Sequence, residues 1–250
     1  MARTILEITG LDKHFGGIHV TRNVNFQMIE GEQSAIIGPN GAGKSTFFNL
    51  LTGYHRADAG RIVFDDHDIT NWTPHAIARI GISRAFQVSN IFPRLTVQEN
   101  VRLAVHSHTG VTMKMFARAD RMGIAETQEV LSLCGLTEKM HLNANQLSQG
   151  DKKKLELSIA LASKPKLLFL DEPTAGMSRE ETQETMNLID RLNRELGLTV
   201  LFTEHDMSVV FNHASRVVLL HRGEIIVEGS PQQVRDNQTA QQIYLGEQQL

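Results

Sequence analysis

Gly38-Pro39-Asn40-Gly41-Ala42-Gly43-Lys44-Ser45 is the stretch of this 250-residue chain whose residue types and spacing most directly imply chemistry. It fits the pattern G-x-x-x-x-G-K-[ST], with Thr46 following, and it lies between an apolar run at 34–37 and a helical pattern over 45–51. Glycines let successive N–H groups turn inward toward phosphate oxygens, and the following helix presents its positive end to the same charge. Lys44 adds a cation for β and γ phosphates, and the Ser45 hydroxyl suits Mg²⁺.

A second chemical unit follows far along the chain. Leu167-Leu168-Phe169-Leu170-Asp171-Glu172 is four apolar residues and then two carboxylates, which a buried strand delivers at its C-terminal edge, where ligands bind in open α/β sheets. Asp171 suits an outer-sphere or water-mediated bond to Mg²⁺, and Glu172, pointing elsewhere, suits accepting a proton from an attacking water. Taken alone, two acids at a strand end are ordinary solvated residues; the phosphate-binding loop upstream gives them meaning. His205, in Thr203-Glu204-His205-Asp206, follows the next apolar strand and is placed to bond a γ-phosphate and orient the water. His106 and His108 are spaced i, i+2, which does not put both on one helix face, so they read as solvated.

The elements that must position these groups are legible in outline. Residues 4–9 and 18–29 read as strands, with Gly10, Gly16, Gly17 and Gly31 at turns. Runs at 34–37, 167–170 and 200–203 are continuous and apolar, as in a parallel sheet buried on both faces, with a helix predicted over 179–196. Between about 88 and 161 helical spacing dominates, as in Val97, Val101 and Val105, which marks an α-helical insertion. Residues 217–220 and 224–227 form a hairpin around Arg222-Gly223, and the Gln-rich tail from Pro231 reads as a surface helix.

Composition excludes several classes. With 25 Lys+Arg against 28 Asp+Glu the net charge is -3, so nothing pulls the chain toward nucleic acid, and no nucleic acid partner is expected. A single cysteine, Cys134, excludes an internal disulfide and fits a reducing compartment. No run approaches the roughly 20 apolar residues of a spanning helix. The opening Met1-Ala2-Arg3-Thr4-Ile5-Leu6-Glu7 lacks the pattern of a secretory leader. Work at a membrane would require another chain to do the spanning.

Leu147-Ser148-Gln149-Gly150-Asp151 then identifies the class: it resembles the signature sequence of ATP-binding cassette (ABC) proteins. With the motifs above, the resemblance covers nearly the whole chain, in the family's order. It implies an α/β fold with a P-loop NTPase (RecA-like) core, an N-terminal antiparallel β-subdomain and an inserted α-helical subdomain. Residues 1–87 and 162–232 would form the ATP-binding core with its β-subdomain, 88–161 the helical unit carrying the signature, and 233–250 a C-terminal helix and tail. By the same resemblance Phe15 stacks on adenine, where tyrosine is more usual. Gln87 joins the Mg²⁺ sphere at the hinge to the helical unit, and 175–178 form the D-loop. Ser148, Gln149 and Gly150 bind the γ-phosphate held by a partner subunit, so the expected active form is a head-to-tail dimer, homomeric or heteromeric, enclosing two ATP. Three further positions depart from the common pattern: Gln149 where glycine is commoner, Asp151 where glutamine or glutamate is usual, and Ser178 where Asp or Asn is frequent.

Arg84-Ala85-Phe86-Gln87, Phe92, Thr96-Val97, Glu99-Asn100 and Tyr244-Leu245-Gly246-Glu247 are similar to the ATP-binding subunits of branched-chain amino acid importers, as is Phe15-Gly16-Gly17. Urea and short-amide importers share that branch, lipopolysaccharide exporters share the tail, and soluble ABC ATPases of cofactor assembly match in size. The implied partners are integral membrane permease subunits and, indirectly, a periplasmic or extracellular solute-binding protein. The implied location is the cytoplasmic side of the inner cell membrane, held peripherally by the permease. Ile91, Phe92 and Leu95 are expected either to line a groove that receives a short permease helix or to pack the core of the helical insertion.

Overall fold

The computed structural model describes residues 3–85, 91–109 and 123–245. In chain order its first part contains β1 (Thr4–Phe15), β2 (Ile18–Ile29), β3 (Gln33–Ile37), α1 (Lys44–Leu51), β4 (Ala59–Phe64), β5 (His67–Asp68), α2 (Pro74–Arg79) and β6 (Ile82–Ala85). A helical stretch follows, with α3 (Val97–Thr109), α4 (Ile124–Leu133) and α5 (Gln149–Leu161). The chain closes with β7 (Leu167–Asp171), α6 (Arg179–Leu196), β8 (Thr199–Thr203), α7 (Met207–His213), β9 (Arg216–His221), β10 (Glu224–Gly229), α8 (Pro231–Arg235) and α9 (Gln238–Leu245).

Strands β2-β1-β4-β5 make an antiparallel sheet, and β10-β9-β3-β8-β7-β6 make a second sheet that is parallel except for β10. Because side chains alternate along a strand, each central strand of the larger sheet feeds two cores. Leu167 and Phe169 face Phe47, Phe48 and Leu51 of α1 and the apolar face of the small sheet, including Ile8 and Phe64. Leu168 and Leu170 face Met186 and Ile189 of α6, in an apolar cluster continuous with Val101, Leu131 and Leu155 of the helical stretch. Helix α1 is thus clamped between two sheets, which holds the loop before it at the C-terminal end of β3.

Helix starts follow local capping chemistry. Thr96 accepts the Glu99 N–H while Glu99 accepts the Thr96 N–H, the reciprocal box that opens α3. Ser178 and Glu181 do the same at α6, whose observed span matches the predicted 179–196.

Two elements differ from the sequence reading. The first strand does not end before Gly10. It runs on to Phe15, and the pairing register slips between Ile8 and Leu11 around Gly10, so this glycine (φ 60°) makes a bulge rather than a turn. The tail is two helices, not one surface helix, and Val234 and Ala240 are buried in the larger core while Arg235 stacks on Phe211. Cys134 lies buried in the same core, where burial pushes its thiol up to about 11, so it is chemically quiet.

Candidate functional site

The glycine-rich loop before α1 is closely packed at its first and last glycines, Gly38 and Gly43. At Gly38 a Cβ would sit 2.0 Å from the Leu220 carbonyl oxygen. Gly43, the residue capping α1, has φ 104° and would push a Cβ to 2.9 Å from the Val20 carbonyl. The Ala42 carbonyl accepts the Gly223 N–H at 2.9 Å, tying the loop to the β9–β10 turn. Lys44 is buried and its Nζ donates to the carbonyls of Gly38 (2.5 Å) and Pro39 (3.1 Å), so the ammonium is held over the loop it closes. Asn40, Gly41 and Ser45 are exposed, Thr46 is half-buried, and Pro39 and Ala42 are buried.

Parallel pairing brings the other groups to the same edge of the sheet. Thr203 of β8 pairs with Ile36 of β3 on one side and Asp171 of β7 on the other. Its hydroxyl donates to Asp171 Oδ1 at 2.7 Å, and Arg84 Nη2 lies 2.8 Å from Asp171 Oδ2. Glu172 has φ 52°, a conformation costly for a side chain this large, and its N–H donates to both the carbonyl and the hydroxyl of Thr203. That turn takes the carboxylate out of strand alternation and sets Glu172 Oε1 2.9 Å from His205 Nε2. Both side chains are nearly half exposed, so the pair is accessible from solvent. The structure therefore joins Glu172 to His205 directly, while Asp171 is engaged by Thr203 and Arg84.

The remaining predicted residues lie elsewhere. Phe15 ends β1 with its ring partly exposed, edge-on to His55 at 5.1 Å. Ser148 caps α5, accepting the Asp151 N–H at 3.1 Å and donating to Asp151 Oδ2 at 2.9 Å. Ser148 and Gln149 are exposed, and Gly150 abuts Glu181 at the start of α6, where a Cβ would meet Glu181 Oε1 at 3.2 Å. Asp151, the unusual signature residue, is also bonded by Lys139 Nζ at 2.5 Å. Burial alone would raise the Asp151 carboxyl, but the bonds from Lys139 and Ser148 outweigh it and hold it below the usual range. Gln87 lies outside the described residues. Of the expected groove residues, Ile91 packs against the helical core and Leu95 is half-buried, which leaves Phe92 as the largely exposed one.

Two residues with structural claims on the site were not singled out for it from the sequence. Arg84, almost fully buried, spans from Asn49 Oδ1 (2.6 Å) to Asp171, with its guanidinium 5.5 Å from the Phe48 ring centre. Glu204 is 5% exposed; its Oε1 accepts both the N–H and the hydroxyl of Thr174, and its Oε2 accepts the His205 N–H at 3.2 Å. It brackets the chain after Glu172 to the chain bearing His205. The Asp171–Arg84 spacing spans 87 positions, so no local signal could have found it. The run Thr203-Glu204-His205-Asp206 reads as uniformly polar, which hides the burial of its second member.

Around the loop the candidate metal donors are a hydroxyl and a carboxylate, Ser45 and Asp171, with no thiol or imidazole between them. That donor set fits a hard cation such as Mg²⁺.

Comparison with known proteins gives the family and the fold. The family model described as ABC transporter matches residues 21–175. The chain is 36% identical to the high-affinity branched-chain amino acid transport ATP-binding protein BraF of Pseudomonas aeruginosa, over 99% of this chain and the whole of that protein. Among solved structures, the ADP conformation of the ATP-binding cassette MJ1267 superposes with a TM-score of 0.87 at 29% identity, covering 98% of this chain and 99% of that one. A dimeric post-hydrolysis state of the cassette MJ0796, bound to ADP and Pi, gives 0.76 at 27% identity, covering 91% of this chain and 99% of that one. A glycine-rich loop before α1, an acid–histidine pair at one sheet edge and a helix start that exposes Ser148 and Gln149 thus occur in a chain that resembles these cassettes over nearly its full length; the chain belongs to the ABC transporter family.

Proposed function

We propose that this chain is the ATP-binding and hydrolysing subunit of an importer for branched-chain or related amino acids, working as a dimer with separate membrane permease subunits. The observation that carries the reading is the 2.9 Å contact between Glu172 and His205 at the edge of the parallel sheet that ends in the phosphate loop. Glu172 serves as the base that takes a proton from the attacking water, and His205 orients that water and the terminal phosphate. Residues 38–46 wrap the phosphates, Lys44 turns from the Gly38 and Pro39 carbonyls to the β and γ phosphates, and Phe15 stacks on adenine. Mg²⁺, held by Ser45 and Asp171 with Gln87, neutralises phosphate charge when bound. Ser148 and Gln149, exposed at the start of α5, complete the site of the other copy, so closure of two chains on two ATP is the step coupled to transport.

The helical stretch within 88–161 serves as the permease-facing unit. No helix among the described residues is long and apolar enough to cross a membrane, so the permease supplies attachment to the inner face of the cell membrane. The amino acid specificity rests on the resemblance to BraF, because the solute is recognised by other chains.

Glu172→Gln tests the chemical core. The variant is expected to bind ATP, accumulate as a dimer on size exclusion and hydrolyse at least ~100-fold more slowly, the lower end of general-base contributions. Hydrolysis at the wild-type rate would remove Glu172 from the mechanism.

A further inference from the structure

Among the described residues, the side chains best suited to hold a transition metal meet near the tip of the β1–β2 hairpin, where His19 directly precedes Val20, whose carbonyl abuts Gly43 of the glycine-rich loop. In the antiparallel register His14 stands directly opposite His19, and their rings stack with centroids 3.9 Å apart and 13° between planes. Asp12, two residues before His14 on β1, bonds through Oδ1 to His19 Nε2, and the same oxygen lies 3.8 Å from His14 Nδ1. One ligand atom from each of the three lies within 4.8 Å of the other two. The other Asp12 oxygen accepts the Asn23 N–H at 2.9 Å, which fixes the carboxylate's orientation. Asp58 brings Oδ2 to 3.5 Å from His14 Nδ1, with the His14 N–H and Lys13 Nζ holding its two oxygens.

We propose that Asp12, His14 and His19 form a binding site for a late first-row divalent cation of the zinc type. Two imidazoles and a carboxylate are the donors such ions prefer, and Asp58 or water can take the fourth position. Ligands about 2.1 Å from a tetrahedral ion stand roughly 3.4 Å apart. The 3.8 Å separation of Asp12 Oδ1 from His14 Nδ1 lies close to that distance, and the shorter Asp12–His19 hydrogen bond must open for the ion to enter. Mg²⁺, which seeks oxygen ligands, competes poorly here. Outer bonds to a ligating carboxylate, such as that from Asn23, are the kind that orient metal ligands.

The site has a consequence for nucleotide binding. Phe15 follows His14 directly and closes the hairpin opposite Ile18. An ion joining β1 to β2 just behind it restrains the ring. That link rests on the adenine-stacking role proposed for Phe15; the metal site itself does not.

The test is titration of the metal-free, nucleotide-free full chain with Zn²⁺ in excess Mg²⁺, read by calorimetry and by competition with a chromophoric chelator. Co²⁺ serves as the absorbing probe of coordination. The expected result is one Zn²⁺ per chain, with affinity falling at least ~10-fold in His14→Asn and in His19→Asn. His55→Asn, which alters the neighbour of Phe15 but no ligand, should bind as the wild type does. Co²⁺ should give four-coordinate visible bands that both ligand variants lose. His14 and His19 are substantially exposed, so unchanged circular dichroism is expected in the variants and separates loss of a ligand from loss of fold. Equal Zn²⁺ affinity in wild type and the double His14→Asn/His19→Asn variant would overturn the site and leave the Asp12–His19 contact as an ordinary hydrogen bond. Zinc should also change the affinity for a fluorescent ATP analogue in the wild type and not in the double variant. Zinc binding with nucleotide affinity unmoved would overturn the link to Phe15 while the site stands.

Discussion

Replacing Arg84 alone should destabilise the chain more than removing both charges of its ion pair. Arg84 Nη2 lies 2.8 Å from Asp171 Oδ2, with side chains only 8% and 12% exposed, so water and salt screen the pair weakly. Deleting one partner of such a pair costs about 3–5 kcal/mol, because the survivor keeps its desolvation penalty without its counter-charge. Arg84→Met also loses the bond to Asn49, worth about 1 kcal/mol. Arg84→Met/Asp171→Asn suffers that second loss too, but replacing both charges by groups of similar volume is often close to neutral. The double variant should therefore be more stable than Arg84→Met by roughly 3–5 kcal/mol. At about 2–4 °C per kcal/mol for a chain of this size, the difference is roughly 6–20 °C in Tm. Thermal unfolding without nucleotide, checked by urea midpoints, reads it directly. If the double variant melts at or below Arg84→Met, with coupling under about 0.5 kcal/mol, the pair is not the electrostatic unit its geometry describes.

Two other perturbations probe the bonds around the site. Glu204→Gln places an NH₂ group against either the His205 N–H or the Thr174 donors. It should cost about 1–3 kcal/mol of stability and lower kcat for ATP with KM nearly unchanged; an unaltered kcat would mean that Glu204 does not position His205. Asp151 has its carboxyl held below the ordinary value of 3.8, so it adds stability that is complete above that value and disappears as pH falls through the lowered one. Unfolding midpoints followed from pH 5 downward should accordingly fall less steeply in Asp151→Asn than in the wild type, and parallel curves would contradict the assignment.

Most of the core architecture was readable because its signals are local. Continuous apolar runs of strand length can only be buried on both faces, and strands β3, β7 and β8 are so placed. Ser178 and Glu181, three apart, mark the start of α6 without reference to anything distant. The tail misled for the opposite reason. Its glutamines suggest a solvated helix, while the residues that dock it, Val234 and Ala240, are single small apolar side chains without a period strong enough to announce a core.

The site divides along the same line. Glu172 and His205 were legible because each follows its own apolar strand, and any parallel pairing of those strands brings the two together. Arg84 was quoted for its place before Gln87, yet its partners, Asn49 and Asp171, are set by which strands neighbour β7 in the sheet. The histidine pair on the hairpin depends on register in a stricter sense. His14 and His19 face each other only because β1 continues past Gly10, and a strand ending at residue 9 would leave His14 in a loop. A glycine read as a turn thus conceals a cross-strand pair. Where a bulge and a turn are both open to a glycine, the residues beyond it are the ones whose neighbours sequence spacing cannot assign.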